Sequence, residues 1–377
     1  MKRLPRPPIA GLFAASFVLL LASMTVLAQQ APAGVPLAEQ IFKNSQVMKG
    51  VPADQFMGTM GYMSNALSVN CTYCHLGDGG GGWAEYARDN DKKITARRMI
   101  SMMNEINKTY FAGRRVVTCV SCHNGNNRPK VTSNMSVYYG VPNTDEPDQI
   151  LKQAPGSPSA EQVLDKYIQA IGGAARLAAL TSWAAKGTHL AYGEAEKRPL
   201  QIVARAPMQR AEIQDTGSGT STVIYDGKAG WSAVPDAITP IPLRPLTGAE
   251  LEGARLDAVL AFPGQIKTAL TGWRGAIPAA MGDTDVHVIQ GMMAGNVPVK
   301  LYFDFDSGLL VRQIRYTETP LGRNTWQIDY SDYRDVAGVK MPFKWLFMWQ
   351  SGKVEVELTD VQANVPIDAA RFAPPAR

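Results

Sequence analysis

Two five-residue motifs constrain this chain more than anything else in it: Cys71-Thr72-Tyr73-Cys74-His75 and Cys119-Val120-Ser121-Cys122-His123. They use all four cysteines of the 377 residues and two of the four histidines. C-x-x-C-H is the haem c attachment pattern. Its two thiols bond the two vinyl groups of one porphyrin, and the His that follows falls beneath the iron as proximal ligand. Other uses of paired cysteines fit less well. Zinc ribbons separate their pairs by about 15–20 residues, whereas 44 residues lie between Cys74 and Cys119, and each pair carries its own His. Disulfide oxidoreductases use one C-x-x-C in a βαβ setting, which is lacking here. Structural disulfides need no His after each pair. The motifs predict two covalently attached haems c, held by Cys71, Cys74, Cys119 and Cys122, with iron on His75 and His123.

An electron-transfer haem takes a second axial ligand, and the remaining histidines, His189 and His287, lie far downstream in strand-like sequence, where they read as sheet residues. Methionine is the natural alternative, and a thioether opposite His raises the potential. Eight of the 16 methionines fall between residues 48 and 135: Met48, Met57, Met60, Met63, Met99, Met102, Met103 and Met135. The periodicity predicts a helix from about Asp54 to Leu67, with Met60, Met63 and Leu67 on one face. A second helix is predicted from about Thr95 to Asn107, with Met99, Met103 and Ile106 on one face. Each unit therefore reads as methionine helix, turn, C-x-x-C-H, and even the approaches repeat, Val69-Asn70-Cys71 and Val117-Thr118-Cys119. This is an internal duplication of one haem-holding unit. Any single Met among these also suits packing against helix or porphyrin.

With Met60-Gly61-Tyr62-Met63-Ser64-Asn65-Ala66-Leu67 leading into Val69 to His75, residues from about 44 to 135 resemble the cytochrome c subunit of photosynthetic reaction centres. The second unit carries the resemblance through Ala96-Arg97-Arg98-Met99-Ile100-Ser101-Met102, Ile106-Asn107 and Val117 to His123. In that family the helix before each attachment motif supplies the distal Met. The resemblance thus implies Met60 for the first haem and Met99 for the second, ahead of Met102 and Met103. Well-known members carry four haems, and this chain has two motifs.

Compartment follows from the other end of the chain. Residues 1–28 read as a secretory leader: Lys2, Arg3 and Arg6 are the positive end, Leu12 to Leu27 the apolar run, and Val26-Leu27-Ala28 the small-residue cut before Gln29. An uncleaved leader would be a membrane anchor. The net charge of +5 shows no concentrated basic patch, which argues against nucleic acid and still permits acidic protein partners. Hydrophobic residues at 45% and charged residues at 19% suit a globular chain with a real core.

Prolines and asparagines break residues 124–158 into irregular sequence. Ser159-Ala160-Glu161-Gln162 is a capping box opening a helix that runs to about Ile171. From about 182 onward short alternating runs succeed one another, separated by turns such as Asp226-Gly227 and Asp306-Ser307-Gly308, with one helix at Gly248–Leu260. Ile328 to Arg334, Val339-Lys340-Met341-Pro342 and Val361 to Pro366 make this part similar to periplasmic lipoprotein carriers and outer-membrane lipoprotein domains. That resemblance implies a curved antiparallel sheet and a groove in which a lipid can bind. A docking platform is the plainer role for such a sheet.

The expected architecture is multidomain: signal peptide 1–28, a mainly α-helical dihaem cytochrome c domain 29–135, a linker 136–158, and an α+β domain with a curved antiparallel sheet over 159–377. The expected function is electron carriage between redox protein partners in the periplasm or cell envelope, with a membrane-associated complex as one setting. A peroxidase-like haem enzyme with one open iron and a lipid-binding module with a cytochrome sensor are the competing readings. No catalytic triad, phosphate loop or carboxylate pair supports another chemistry.

Overall fold

The computed structural model describes residues 34–75, 85–129, 131–132, 151–235, 239–350 and 352–375. The leader, Met135, Tyr138, Tyr139 and positions 136–150 of the expected linker lie outside the described residues. Among the described residues between 34 and 132 the regular elements are helices, plus one isolated bridge between Leu37 and Pro52. They are α1 (Ala38–Ile41), α2 (Ala53–Leu67), α3 (Cys71–Cys74), α4 (Asp91–Tyr110) and α5 (Cys119–His123).

α2 and α4 form because each carries two apolar stripes with helical spacing. In α2, Thr59, Tyr62 and Ala66 form the buried stripe, and Met60, Met63 and Leu67 form a half-buried one beside it. In α4, Ile100, Met103 and Asn107 are buried, while Met99, Met102 and Ile106 form the outer stripe. Met103 thus leaves the expected grouping with Met99 and joins the core instead. α2 stops where Ser68 enters the left-handed region at φ 51°. α4 opens on Asn90, whose side chain accepts the Lys93 N–H at 3.0 Å, a turn earlier than expected from the apolar period alone.

The remainder builds a 13-stranded antiparallel sheet in the order β6-β5-β4-β3-β2-β1-β13-β12-β11-β10-β9-β8-β7. The strands are β1 (Ser182–Ala191), β2 (Arg198–Arg205), β3 (Gln209–Asp215), β4 (Thr220–Tyr225), β5 (Gly230–Ala233), β6 (Leu243–Pro245) and β7 (Thr271–Met281), followed by β8 (Thr284–Met293), β9 (Val297–Asp304), β10 (Leu310–Thr319), β11 (Gly322–Val336), β12 (Val339–Trp349) and β13 (Gly352–Ala363). The chain meanders to one edge, crosses to the other by way of α8 (Gly248–Leu260), and meanders back until β13 pairs with β1. At that seam Gly187 marks a bulge, and a Cβ there would strike the Glu357 carbonyl.

α6 (Ala160–Ala170), α7 (Ala174–Ala179) and α8 cover one face. α6 opens on the expected capping box, Ser159 with Gln162. Leu164, Ile168, Leu177, Leu256 and Val259 meet Trp183, Ile202, Leu301 and Phe303 there in one continuous core. The opposite face buries Val286, Val288, Tyr302, Ile314 and Tyr316 around Leu151. Leu151 is buried there. Its N–H donates to Gln290 Oε1 at 3.0 Å, and Ala154 and Pro158 bond the backbone of Ala276 on β7, shielding that sheet edge.

The helical region and the sheet meet at the two-residue turn between β10 and β11. Leu321, at its tip, is buried with Met48, Tyr62, Ile100 and Met103. Asn324 donates to the Gly58 carbonyl in α2 at 2.9 Å.

Candidate haem-attachment site

Each C-x-x-C-H sequence folds as one capped helical turn. Asn70 caps α3, its side chain accepting from Thr72 Oγ1 at 2.8 Å and from the Tyr73 N–H at 3.2 Å. Thr118 caps α5 and donates its N–H to Ser121 Oγ at 3.0 Å. A spacing of three on a helix puts both sulfurs of a pair on one side of the turn. All four thiols are free: Cys71 and Cys122 are exposed, and Cys74 and Cys119 half-buried. Burial pushes the Cys74 and Cys119 thiols up. Among the described residues no three His, Cys, Asp or Glu side chains are placed to share a metal ion, as a zinc ribbon would require.

The two histidines are oriented alike. His75 Nδ1 lies 3.0 Å from the Tyr86 carbonyl, and His123 Nδ1 lies 2.9 Å from the Asn126 carbonyl. A carbonyl only accepts, so Nδ1 carries the hydrogen in each ring and Nε2 of the neutral ring keeps its lone pair. Metal-bound histidines are characteristically oriented by such a bond. Burial also pushes the His75 imidazole down, toward the neutral form that iron requires. Tyr86 packs edge-on against His75 at 4.8 Å between ring centres.

The units are interleaved. α4 holds the first attachment turn through Asn90, which donates to the Cys74 carbonyl at 2.9 Å, and Lys92, which donates to Tyr73 Oη at 2.9 Å. Near its other end Asn107 fixes the approach to the second turn, donating to the Val117 carbonyl at 2.7 Å and accepting from Val116 and Val117 N–H. α2 packs against α5, and the Gly125 N–H donates to the Ala66 carbonyl at 3.0 Å. The two motifs thus belong to one compact assembly, and the helix before one motif also supports the other.

Met60 borders the cluster of Tyr62, Met103 and Leu321, as do Val117 and Cys119. Met99 is 40% and Met102 46% exposed on the outer stripe of α4. Among the described residues, seven of the nine exposed large apolar side chains fall between residues 94 and 131. An uncovered apolar surface concentrated beside paired thiols and available imidazole nitrogens fits a porphyrin face. His189 and His287 sit in β1 and β8, with His189 Nε2 donating to the Asp215 carbonyl at 2.7 Å and His287 stacked on Phe305.

Sequence reasoning did not single out Tyr86, Asn90 or Lys92, and it met Asn107 only within the residues that carry the resemblance. Asn90 left a further signal, as a capping residue ahead of a helix. The others act through backbone carbonyls or across elements, which no local pattern encodes.

Paired thiols beside an oriented imidazole are what covalent attachment of haem c requires. Residues 19–154 match the family model described as the photosynthetic reaction centre cytochrome C subunit. The chain is 33% identical over 99 residues to the photosynthetic reaction center cytochrome c subunit of Thermochromatium tepidum, covering 25% of this chain and 23% of that protein. It is 36% identical over 104 residues to the Roseobacter denitrificans subunit, covering 26% and 27%. The chain thus spans about a quarter of the length of these curated relatives. The sheet is similar to a LolA superfamily protein from Nitrosomonas europaea at 13% identity and a TM-score of 0.40, over 58% of this chain and 98% of that one.

Proposed function

We propose that this protein is an exported dihaem c-type cytochrome that carries electrons between redox proteins of the cell envelope. The observation that carries this reading is the shared design of the two motifs: a capped turn, two free thiols on one side, and a His whose Nδ1–H is held by a carbonyl so that Nε2 is presented. Haem c, when bound, supplies a one-electron iron couple. Cys71 and Cys74 would hold one haem through His75 and Met60, and Cys119 and Cys122 the other through His123 and Met99. The outer stripe of α4 and the half-buried stripe of α2 would exclude water from the cofactors, which would raise the potential in the same sense as a thioether ligand.

In this reading residues 1–28 are the leader, residues 29–135 the cytochrome domain, and residues 159–377 a platform that carries it. Helices α6 to α8 already occupy one face of the sheet. Between that sheet and α8 a cleft of about 160 Å³ is lined by Arg210, Arg244, Arg315, Glu250, Asp257 and Trp326. Each of these guanidiniums is paired: Arg210 with Glu212, Arg244 with Glu250, and Arg315 with Asp257 at 2.7 Å. Val223, Tyr225, Leu246 and Ala254 line the same cleft, so the platform reading rests on the helices that already cover that face rather than on the cleft's charge.

Intact mass of protein made together with haem-attachment machinery tests the proposal. Two haem additions and loss of the first 28 residues are expected. A colourless product whose cysteines are oxidised to one another overturns it. The optical spectrum separates carrier from enzyme: two low-spin haems with a weak sulfur-to-iron band support the carrier, and a high-spin ferric haem that shifts with peroxide supports the enzyme.

A further inference from the structure

The β10–β11 tip does more than join the sheet to the helices. Thr319 pairs with Gly322 around the Pro320-Leu321 loop, and Thr319 Oγ1 accepts the Gly322 N–H at 3.1 Å, which makes the tip rigid. Tyr62 of α2 packs directly against it: a Cβ on Gly322 would overlap the Tyr62 ring. The hydroxyl of that buried ring meets the Thr118 side chain and the Val120 N–H, at the cap and first turn of the helix that carries Cys119 and Cys122. Four residues before Cys119, Arg115 donates to the Thr319 carbonyl and pairs with Glu318 on the same tip. The first attachment turn is held differently, by Asn90, Lys92 and Tyr86 of the helical region.

We propose that the β10–β11 tip poises the second haem. By holding Tyr62 and Arg115 against the turn of Cys119 and Cys122, the sheet sets that haem's reduction potential apart from the first. This inference rests on the dihaem reading above. Tyr62 is a positioning residue, and the Arg115–Glu318 pair supplies local charge. A cation near a haem favours the reduced, less positive iron, and a carboxylate favours the oxidised one. Glu318 is shared by Arg115 and Arg323. Glu318→Gln removes the carboxylate between two cations and raises one potential, and Arg115→Gln removes the cation nearer the attachment turn and lowers the same one. Simple loosening of the contact would move both variants in the same direction.

The experiment is a potentiometric titration of the full-length haem-loaded protein and of Glu318→Gln, Arg115→Gln and Tyr62→Phe, with haem counted by intact mass. Opposite shifts are expected for the two charge variants, each at least about threefold in the reduced-to-oxidised ratio of one haem at fixed ambient potential. The other haem stays where it was, and Tyr62→Phe moves the same haem as the charge variants. Two haems bound with both potentials unmoved, both moved equally, or the charge variants shifting in the same direction overturns the inference. Failure to find two haems overturns the dihaem reading itself. Glu318 is partly exposed, so its variant keeps the test decisive even if Tyr62→Phe fails to fold.

Discussion

Asn107 shows how one side chain can organise an attachment site. It is 5% exposed, and its amide closes three hydrogen bonds to Val116 and Val117 before the second motif. Asn107→Ala leaves those backbone groups without partners, and a loss of about 2–4 kcal/mol in stability is expected by urea denaturation. Asp54, near the start of α2, behaves in the opposite sense. Burial and the neighbouring Glu250 raise its carboxyl above the usual range, more than Arg244 at 3.9 Å lowers it. A carboxyl raised in the fold contributes its stability below its unfolded value and loses it as pH rises through the folded one. Asp54→Asn keeps an acceptor for the Gln55 N–H and is expected to raise stability at neutral pH, with the gain vanishing as pH falls to about 3–4. Denaturation midpoints across that range check it. The motif cysteines and histidines were legible in the sequence because covalent attachment demands them in one order. Asn107 stood in the sequence only as part of the resemblance; its bonds to Val116 and Val117 were not legible, because an Asn inside a helix announces nothing until its partners are known.

At the scale of elements, boundaries were legible where the local code is complete. The helix at Gly248–Leu260 and the capping box at Ser159 stand as the sequence predicts. Ser159 Oγ accepts the Gln162 N–H at 3.2 Å, and Gln162 returns the contact at 2.8 Å. Ser159→Ala is expected to cost about 1 kcal/mol, read from the thermal or urea transition, whereas Ser159→Asp retains most of that stability. β7 carries Gly272, Gly275 and Pro278 and tolerates them as an edge strand with register shifts, covered by residues 154–158. The split of the α4 methionines was hidden. Met99 and Met103 are one turn apart, and only the docking of Leu321 and Tyr62 decides that Met103 turns inward.

At the scale of the whole molecule, an alternating pattern announces strands but not their order. The pairing of β1 with β13 joins residues about 170 positions apart, and no local signal records it. Because β13 lies inside the sheet, removing residues 352–377 should abolish the cooperative thermal transition of the sheet, whereas trimming an edge strand would only weaken it. The β1–β13 seam also says something about the timing of folding. The strand that completes the middle of the sheet comes after all twelve others in chain order, so two half-sheets stay unjoined until it pairs with both. Closure is then a single event, in which that strand slots between β1 and β12.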